Sequence, residues 1–342
     1  MNIAISLGLV FVLSAVVTGL MRDFARRQSL LAIPNERSSH ASVTPSGGGV
    51  GIVVGSLVAL LSLPIFGAAE LTVALVTAVG GAAIAVAGFL DDKNELPAYM
   101  RLGVQFAASL AFLVTVEPTL TFPALGSDVA PVMPWPWSLL FVFALIWGIN
   151  LYNFMDGIDG LAGTQALTVA LGAAIILLIA GDARYLFAFG SVAAASLGFL
   201  LWNWPPAKIF MGDIASGFLG FLFGTFVVLT QDSVLNIWVW LILLGVFIVD
   251  ATVTLLRRLA RGDNVFAAHR CHAYQRAARR FKSHRTVTLA VGAVNLFWLL
   301  PLAAFTAANP SWGAAVTVIA WLPIVGVAEW LGAGRASERL IA

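Results

Sequence analysis

Apolar residues run along this chain in long blocks rather than in alternation, and the polar residues concentrate in the short connections between them. About eleven blocks occur, at 3–20, 46–66, 71–90, 102–116, 137–151, 161–180, 185–202, 214–230, 235–256, 286–307 and 313–331. About 20 apolar residues of helix cross a hydrocarbon core of roughly 30 Å, and a helix pairs its own backbone groups where no water can. The pattern therefore predicts an all-α integral membrane protein of about eleven transmembrane helices, with residues 1–342 forming a single polytopic membrane domain. Composition agrees. Of the residues 60% are hydrophobic and 11% charged, and a mean hydropathy of +0.94 leaves too little polar surface to cover a soluble domain.

Charge sets the expected orientation. Four Lys and Arg residues lie in 21–45, two in 91–101, one in 203–213, nine in 257–285 and two in 332–342, whereas the opposite connections hold only Arg184. Cationic connections stay in the cytoplasm, so the N-terminus is expected to be periplasmic and the C-terminus cytoplasmic. Arg22, Arg26 and Arg27 follow the first block and no cation precedes it, which reads as an uncleaved first helix. Cys271 is the single cysteine, so no internal disulfide forms. A formal charge of +2 gives no basis for nucleic-acid binding. The external connection from Glu117 to Pro136, rich in Pro, reads as a structural cap, and 257–285 as a segment able to form a cytoplasmic amphipathic helix.

The chemistry-bearing residues gather on the predicted cytoplasmic side, in 21–45, 91–101, 150–161, 203–213 and 257–285. "GFLDDKNELPAYMR" ends an apolar block on adjacent Asp91 and Asp92, which stay ionised together only near water or a cation. "NLYNFMDGIDGLAG" spaces Asn150, Asn153, Asp156 and Asp159 at three-residue intervals, one polar face if the segment is helical. "PPAKIFMGDIASGFLG" sets Asp213 at the start of a block, where it would cap a helix or join Asp91 and Asp92 around a hard divalent cation. "HRCHAYQR" puts His269, Arg270 and His272 in the basic connection; without an acidic neighbour for a zinc site, they read as donors to a pyrophosphate. "PNERSSHASVTPSGGG" adds Arg37, Ser38, His40, Thr44 and a glycine run able to form an anion-binding nest. Asp250, inside the ninth block, reads as the structural partner of a polar group on a neighbouring helix.

From about Pro34 to Arg285 these strings, in this order, resemble the polyprenyl-phosphate N-acetylhexosamine-1-phosphate transferases. The family includes the undecaprenyl-phosphate GlcNAc-1-phosphate transferase and the muramoyl-pentapeptide transferase. "PNERSSH" and "HRCHAYQR" look closer to the branch that initiates O-antigen-type polysaccharide than to the peptidoglycan branch. The resemblance implies a phosphoglycosyl transferase of the bacterial inner membrane, multi-pass, with its active site on the cytoplasmic face. It would move an N-acetylhexosamine 1-phosphate from a UDP-sugar to undecaprenyl phosphate with Mg²⁺ as cofactor, releasing UMP. By matching position, Asp213 is the expected metal ligand. Asp91 and Asp92 would support the metal and the acceptor phosphate. Asn150, Asn153, Asp156 and Asp159 would line the nucleotide, with Asp159 at the uracil edge, and His269, Arg270 and His272 would meet pyrophosphate or sugar. Two departures stand out: Ala215 where glycine is common, and "HAYQ" in place of HxHH. A secondary transporter is the rival class, but it predicts midplane charges and matching halves, neither of which is visible.

Overall fold

The computed structural model describes residues 2–33, 42–94, 96–116, 135–264 and 269–336. Arg37, Ser38, His40 and most of the external connection 117–136 lie outside the described residues. In chain order the elements are α1 (Ile3–Arg27), β1 (Leu31–Ala32), β2 (Thr44–Pro45), α2 (Val50–Ser62), α3 (Leu71–Asn94), α4 (Ala98–Val116) and α5 (Trp135–Phe154). They continue with α6 (Leu161–Ala180), α7 (Leu186–Asn203), α8 (Asp213–Leu229), α9 (Ile237–Leu243), α10 (Gly245–Ala260) and α11 (Ala273–Phe281). The last are α12 (His284–Val294), α13 (Leu300–Ala308) and α14 (Gly313–Leu331), with a π-helical stretch, Asn295–Leu299, joining α12 to α13.

Every apolar block is helical, and seven helical segments among the described residues are long and apolar enough to cross a membrane. The ninth block is broken: α9 and α10 pass the same test together but meet at 77°. The helices built on the second, fifth and eighth blocks are shorter. The result is a multi-pass helical membrane protein.

Helices α6, α7 and α8 form the interior, while α1 and α14 leave most of their surface outward. Lipid tails are as apolar as leucine, so burial from water cannot hold these helices together; close packing of ring and small side chains does. Phe189 lies 4.6 Å from Phe226 and 5.7 Å from Trp240, centroid to centroid, all fully buried. Asn295, at the π-helical stretch, donates to Gln165 at 2.7 Å and to Thr168 at 2.8 Å, which ties that stretch to α6.

The connection before α2 positions the site. β1 and β2 pair antiparallel, Leu31 with Pro45 and Ala32 with Thr44. Just beyond, the Pro45 carbonyl accepts from Phe210 N–H at 2.8 Å, Gly48 N–H donates to Phe210 O at 2.8 Å, and Gly49 N–H to Met211 O at 3.0 Å. The "TPSGGG" and "FMGD" strings therefore run side by side. The expected anion nest is not what this run makes: the N–H groups of Gly48 and Gly49 are spent on backbone carbonyls.

Candidate active site

Three carboxylates meet at one end of the bundle because α3 ends where α8 begins. A Cβ on Gly88 would fall 2.2 Å from Asp213 O, so α3 approaches the start of α8 this closely only with glycine there. Asp92, one turn further on, reaches Asp213, whose N–H donates to Asp92 Oδ1 at 3.2 Å. The N-terminal N–H groups of a helix lack intrahelical partners and carry a partial positive charge, so a carboxylate is stabilised there. The capping role read for Asp213 thus falls to Asp92. Between the strings, Gly212 adopts φ 76°, and a Cβ on it would lie 2.3 Å from Asp92 Oδ2.

Asp91 stays within hydrogen-bonding reach of Asp213 and has two donors of its own. Its Oδ1 accepts from Leu96 N–H at 2.6 Å and its Oδ2 from Arg101 Nη1 at 2.6 Å. The same Arg101 nitrogen lies 3.8 Å from Asp213 Oδ2. Asp91 is therefore the anchor of a half-exposed arginine and still a member of the carboxylate cluster with Asp92 and Asp213.

Asp213 borders three spaces. A cavity of about 270 Å³ is lined by Ser46, Asp92, Asp156, Gly157, Asp159, Asn203, Phe210, Gly212, Asp213, Gln275 and His284. An open hollow of about 370 Å³ lies over Asp91, Asp92, Leu96 and Arg101. A slot of about 80 Å³ runs between α3, α4, α5 and α8, past Gln105, Asn150 and Asn153. Beyond the cavity, and sharing Asp159, Phe210 and His284 with it, a groove of about 680 Å³ carries Arg279, Lys282 and Arg285.

The four-residue polar face expected of 150–159 is divided. Helix α5 ends at Phe154 and residues 155–160 form a turn closed by Gly160 at φ 74°. Asn150 and Asn153 consequently face the slot, where Asn150 Nδ2 donates to Gln105 Oε1 at 2.8 Å and Asn153 Nδ2 to Ser216 Oγ at 3.1 Å. Asp156 and Asp159 face the cavity. Asp159 Oδ2 accepts from Ala207 N–H at 3.0 Å, and its Oδ1 lies 3.3 Å from His284 Nδ1.

Asp156 is half-buried by surface area but enclosed at longer range, and its carboxyl is held well above the usual range, first by burial and then by the charges of Asp213, Asp92 and Asp159. Such mutual repulsion is what a divalent cation in the cavity would relieve. The donors are all oxygen, which suits Mg²⁺: it takes one or two carboxylates and completes its shell with water and substrate phosphate. Among the described residues no group of three or more His, Cys, Asp or Glu side chains is placed to hold a metal ion by itself.

The histidine string departs most from expectation. His272 is buried, with Nδ1 3.3 Å from Asp250 Oδ1, so it has the acidic neighbour the sequence was read as lacking. His269 packs against it with ring centroids 4.9 Å apart and planes tilted by 31°, its Nδ1 3.2 Å from Cys271 Sγ. Burial, then the charges of His272 and Arg258, push the His269 pKa down to about 4, so it is neutral at physiological pH. Arg270 is exposed. None of the three lines the cavity; Gln275 and His284 do. Arg101, Ser46, Phe210 and Asn203 also lie at the site without having been singled out.

Helices and site together define a multi-pass membrane protein with a carboxylate cluster at one end of its helical bundle. Residues 74–231 match glycosyl transferase family 4. The chain is 30% identical over 303 residues to the decaprenyl-phosphate N-acetylglucosaminephosphotransferase of Mycobacterium leprae, covering 80% of this chain and 76% of that protein. It is 29% identical over 282 residues to the probable undecaprenyl-phosphate N-acetylglucosaminyl 1-phosphate transferase of Bacillus subtilis, covering 81% and 77%. It is also 29% identical over 296 residues to the phospho-N-acetylmuramoyl-pentapeptide-transferase of Bacillus cytotoxicus, covering 79% and 88%. The chain belongs to the polyprenyl-phosphate hexosamine-1-phosphate transferase family, and it is a phosphoglycosyl transferase.

Proposed function

We propose that the protein transfers an N-acetylhexosamine 1-phosphate from a UDP-sugar to undecaprenyl phosphate, releases UMP and starts a lipid-linked surface polysaccharide of the O-antigen type. The observation that carries this reading is the meeting of Asp92 and Asp213 beside Arg101, with a cavity on one side and a more open hollow on the other. Donor and acceptor are both anionic, so their encounter needs charge neutralisation and alignment more than covalent help.

Asp92 and Asp213 would hold the ion; when bound, Mg²⁺ neutralises the donor's diphosphate and polarises its β-phosphorus. Arg101, kept in place by Asp91, would meet the acceptor phosphate in the hollow. A phosphate monoester with a second pKa near about 6 is mostly dianionic at neutral pH, so its oxygen attacks without a general base. The new bond joins acceptor oxygen to β-phosphorus, the bond to the bridging oxygen breaks, and UMP leaves with both electrons. Phe210 and Asp159 offer an aromatic face and an acceptor edge for uracil. The site would face the cytoplasm of a bacterial inner membrane, where nucleotide sugars are made.

Purified enzyme given undecaprenyl phosphate, Mg²⁺ and a panel of UDP-N-acetylhexosamines should release UMP with at least one of them. Failure with every donor would refute the assignment.

A further inference from the structure

Helix α4 leaves most of its surface outward. Its buried stripe is Gln105, Ala108, Ser109, Phe112 and Leu113, and Arg101 stands one turn before Gln105 on the same face. Ala108, Phe112 and Leu113 hold the helix by shape alone, and the buried Ser109 hydroxyl meets no hydrogen-bond partner. Gln105 differs. It is 9% exposed, and its Oε1 accepts from Asn150 Nδ2 on α5 at 2.8 Å. Beyond Arg101, this is the one hydrogen bond from α4 to another helix among the described residues.

Asn150 stands on a firm base. Close by, α5 meets α8 so tightly that a Cβ on Gly220 would fall 2.4 Å from Gly148 O, and Asn153 Nδ2 donates to Ser216 Oγ of α8 at 3.1 Å. Helix α8 is the one that opens on Asp213. The Gln105 amide therefore ties α4 to the frame that carries Asp213. Lipid tails solvate apolar side chains as well as a neighbouring helix does, so a directional bond is what fixes the height and rotation of such an outlying helix. Arg101 depends on that setting, because it lies in the first turn of α4, where backbone hydrogen bonding is incomplete. Arg101, Gln105, Asn150 and Asp213 line one slot, and neither amide borders the cavity that holds Phe210 and Asp159.

We propose that Gln105 and Asn150 form an amide clasp inside the bundle that positions Arg101 for the acceptor phosphate, so that Asn150 serves the acceptor side of the site. The inference rests on the reading above in which Arg101 meets undecaprenyl phosphate. Both amides are positioning residues and touch no substrate in this role. An interhelical side-chain hydrogen bond in a bilayer is worth about three- to twentyfold in an equilibrium constant. Loss of the clasp weakens acceptor binding by that order and leaves the donor's cavity as it was.

The test uses the full-length enzyme in detergent, with UMP release as the signal. Gln105→Leu should raise KM for undecaprenyl phosphate about fivefold while KM for the UDP-sugar and the inhibition constant of UMP stay within about twofold. Asn150→Leu should match it. Gln105→Asn shortens the reach between the helices and should show the same loss. The exchange Gln105→Asn/Asn150→Gln restores the summed length of the two side chains and should bring the acceptor KM back to within about twofold of wild type. In an Arg101→Lys background, Gln105→Leu should add less than about twofold, since both act through one guanidinium. A donor KM that rises in Asn150→Leu but not in Gln105→Leu, an exchange variant as impaired as Gln105→Asn, or additive losses over Arg101→Lys would overturn the clasp. A normal acceptor KM in Arg101→Lys would instead overturn the reading of the arginine on which the clasp rests.

Discussion

At the scale of single residues, the carboxylates divide the labour by what each already touches. Asp213 makes only a long ion pair with Arg101, at 3.8 Å, so Asp213→Asn should lower kcat about 10²- to 10³-fold with little change in thermal stability, measured by UMP release and by unfolding in detergent. Arg101→Lys keeps a charge but loses the planar guanidinium, whose Nη1 meets Asp91 and whose remaining donors are left for a phosphate; a fall of about tenfold in kcat/KM for the acceptor is expected, larger than for the donor. His269 gives a pH prediction. Its folded pKa of about 4 lies below the ordinary 6.5, so the unfolded chain takes up the proton first as pH falls through that window. Stability present above about 6.5 is then lost progressively toward about 4, and His269→Gln should flatten the dependence of Tm on pH there. Identity of the acids was legible in the sequence, since paired carboxylates beside a bilayer demand a partner. The histidine roles were not, because whether an imidazole faces a cavity or a buried aspartate depends on a contact between His272 and Asp250, 22 positions away.

At the scale of elements, the helical character of the apolar blocks was readable from hydropathy, whereas among the described residues seven segments, or eight with the bent pair, are long and apolar enough to span. What hydropathy does not carry is where a helix stops inside a motif. The three-residue spacing of Asn150 to Asp159 fits a helix, yet the turn with Gly160 at φ 74° ends α5 and sends the last two acids into a different space. Nor does it carry the 77° break between α9 and α10, which has no proline to announce it. The amphipathic segment expected within 257–285 does form, as α11 with Tyr274 and Gln275 inward and Arg279 and Arg280 outward. The contact of α3 with α8 makes a prediction of its own. Gly88→Ala places a Cβ against backbone that cannot yield, so a loss of about 1–3 kcal/mol in stability is expected together with reduced turnover. A spacer that restores Tm without restoring UMP release would show that the spacing of Asp92 and Asp213 matters in its own right.

At the scale of the whole molecule, the cation bias and the clustering of site residues lead to one expectation about sidedness. In a Cys271→Ser background, Lys282→Cys should react with an impermeant maleimide only in inverted vesicles, and Asp232→Cys only in right-side-out ones. Labelling of both from one side would contradict the topology. Because Asp92 and Asp213 border both the cavity and the hollow, the two proposed reactants would have separate doors onto one carboxylate pair, and neither would have to vacate before the other arrives. Initial rates with both concentrations varied should accordingly give intersecting double-reciprocal lines, the mark of a ternary complex; parallel lines would mean that the aspartate is itself phosphorylated and released between two visits.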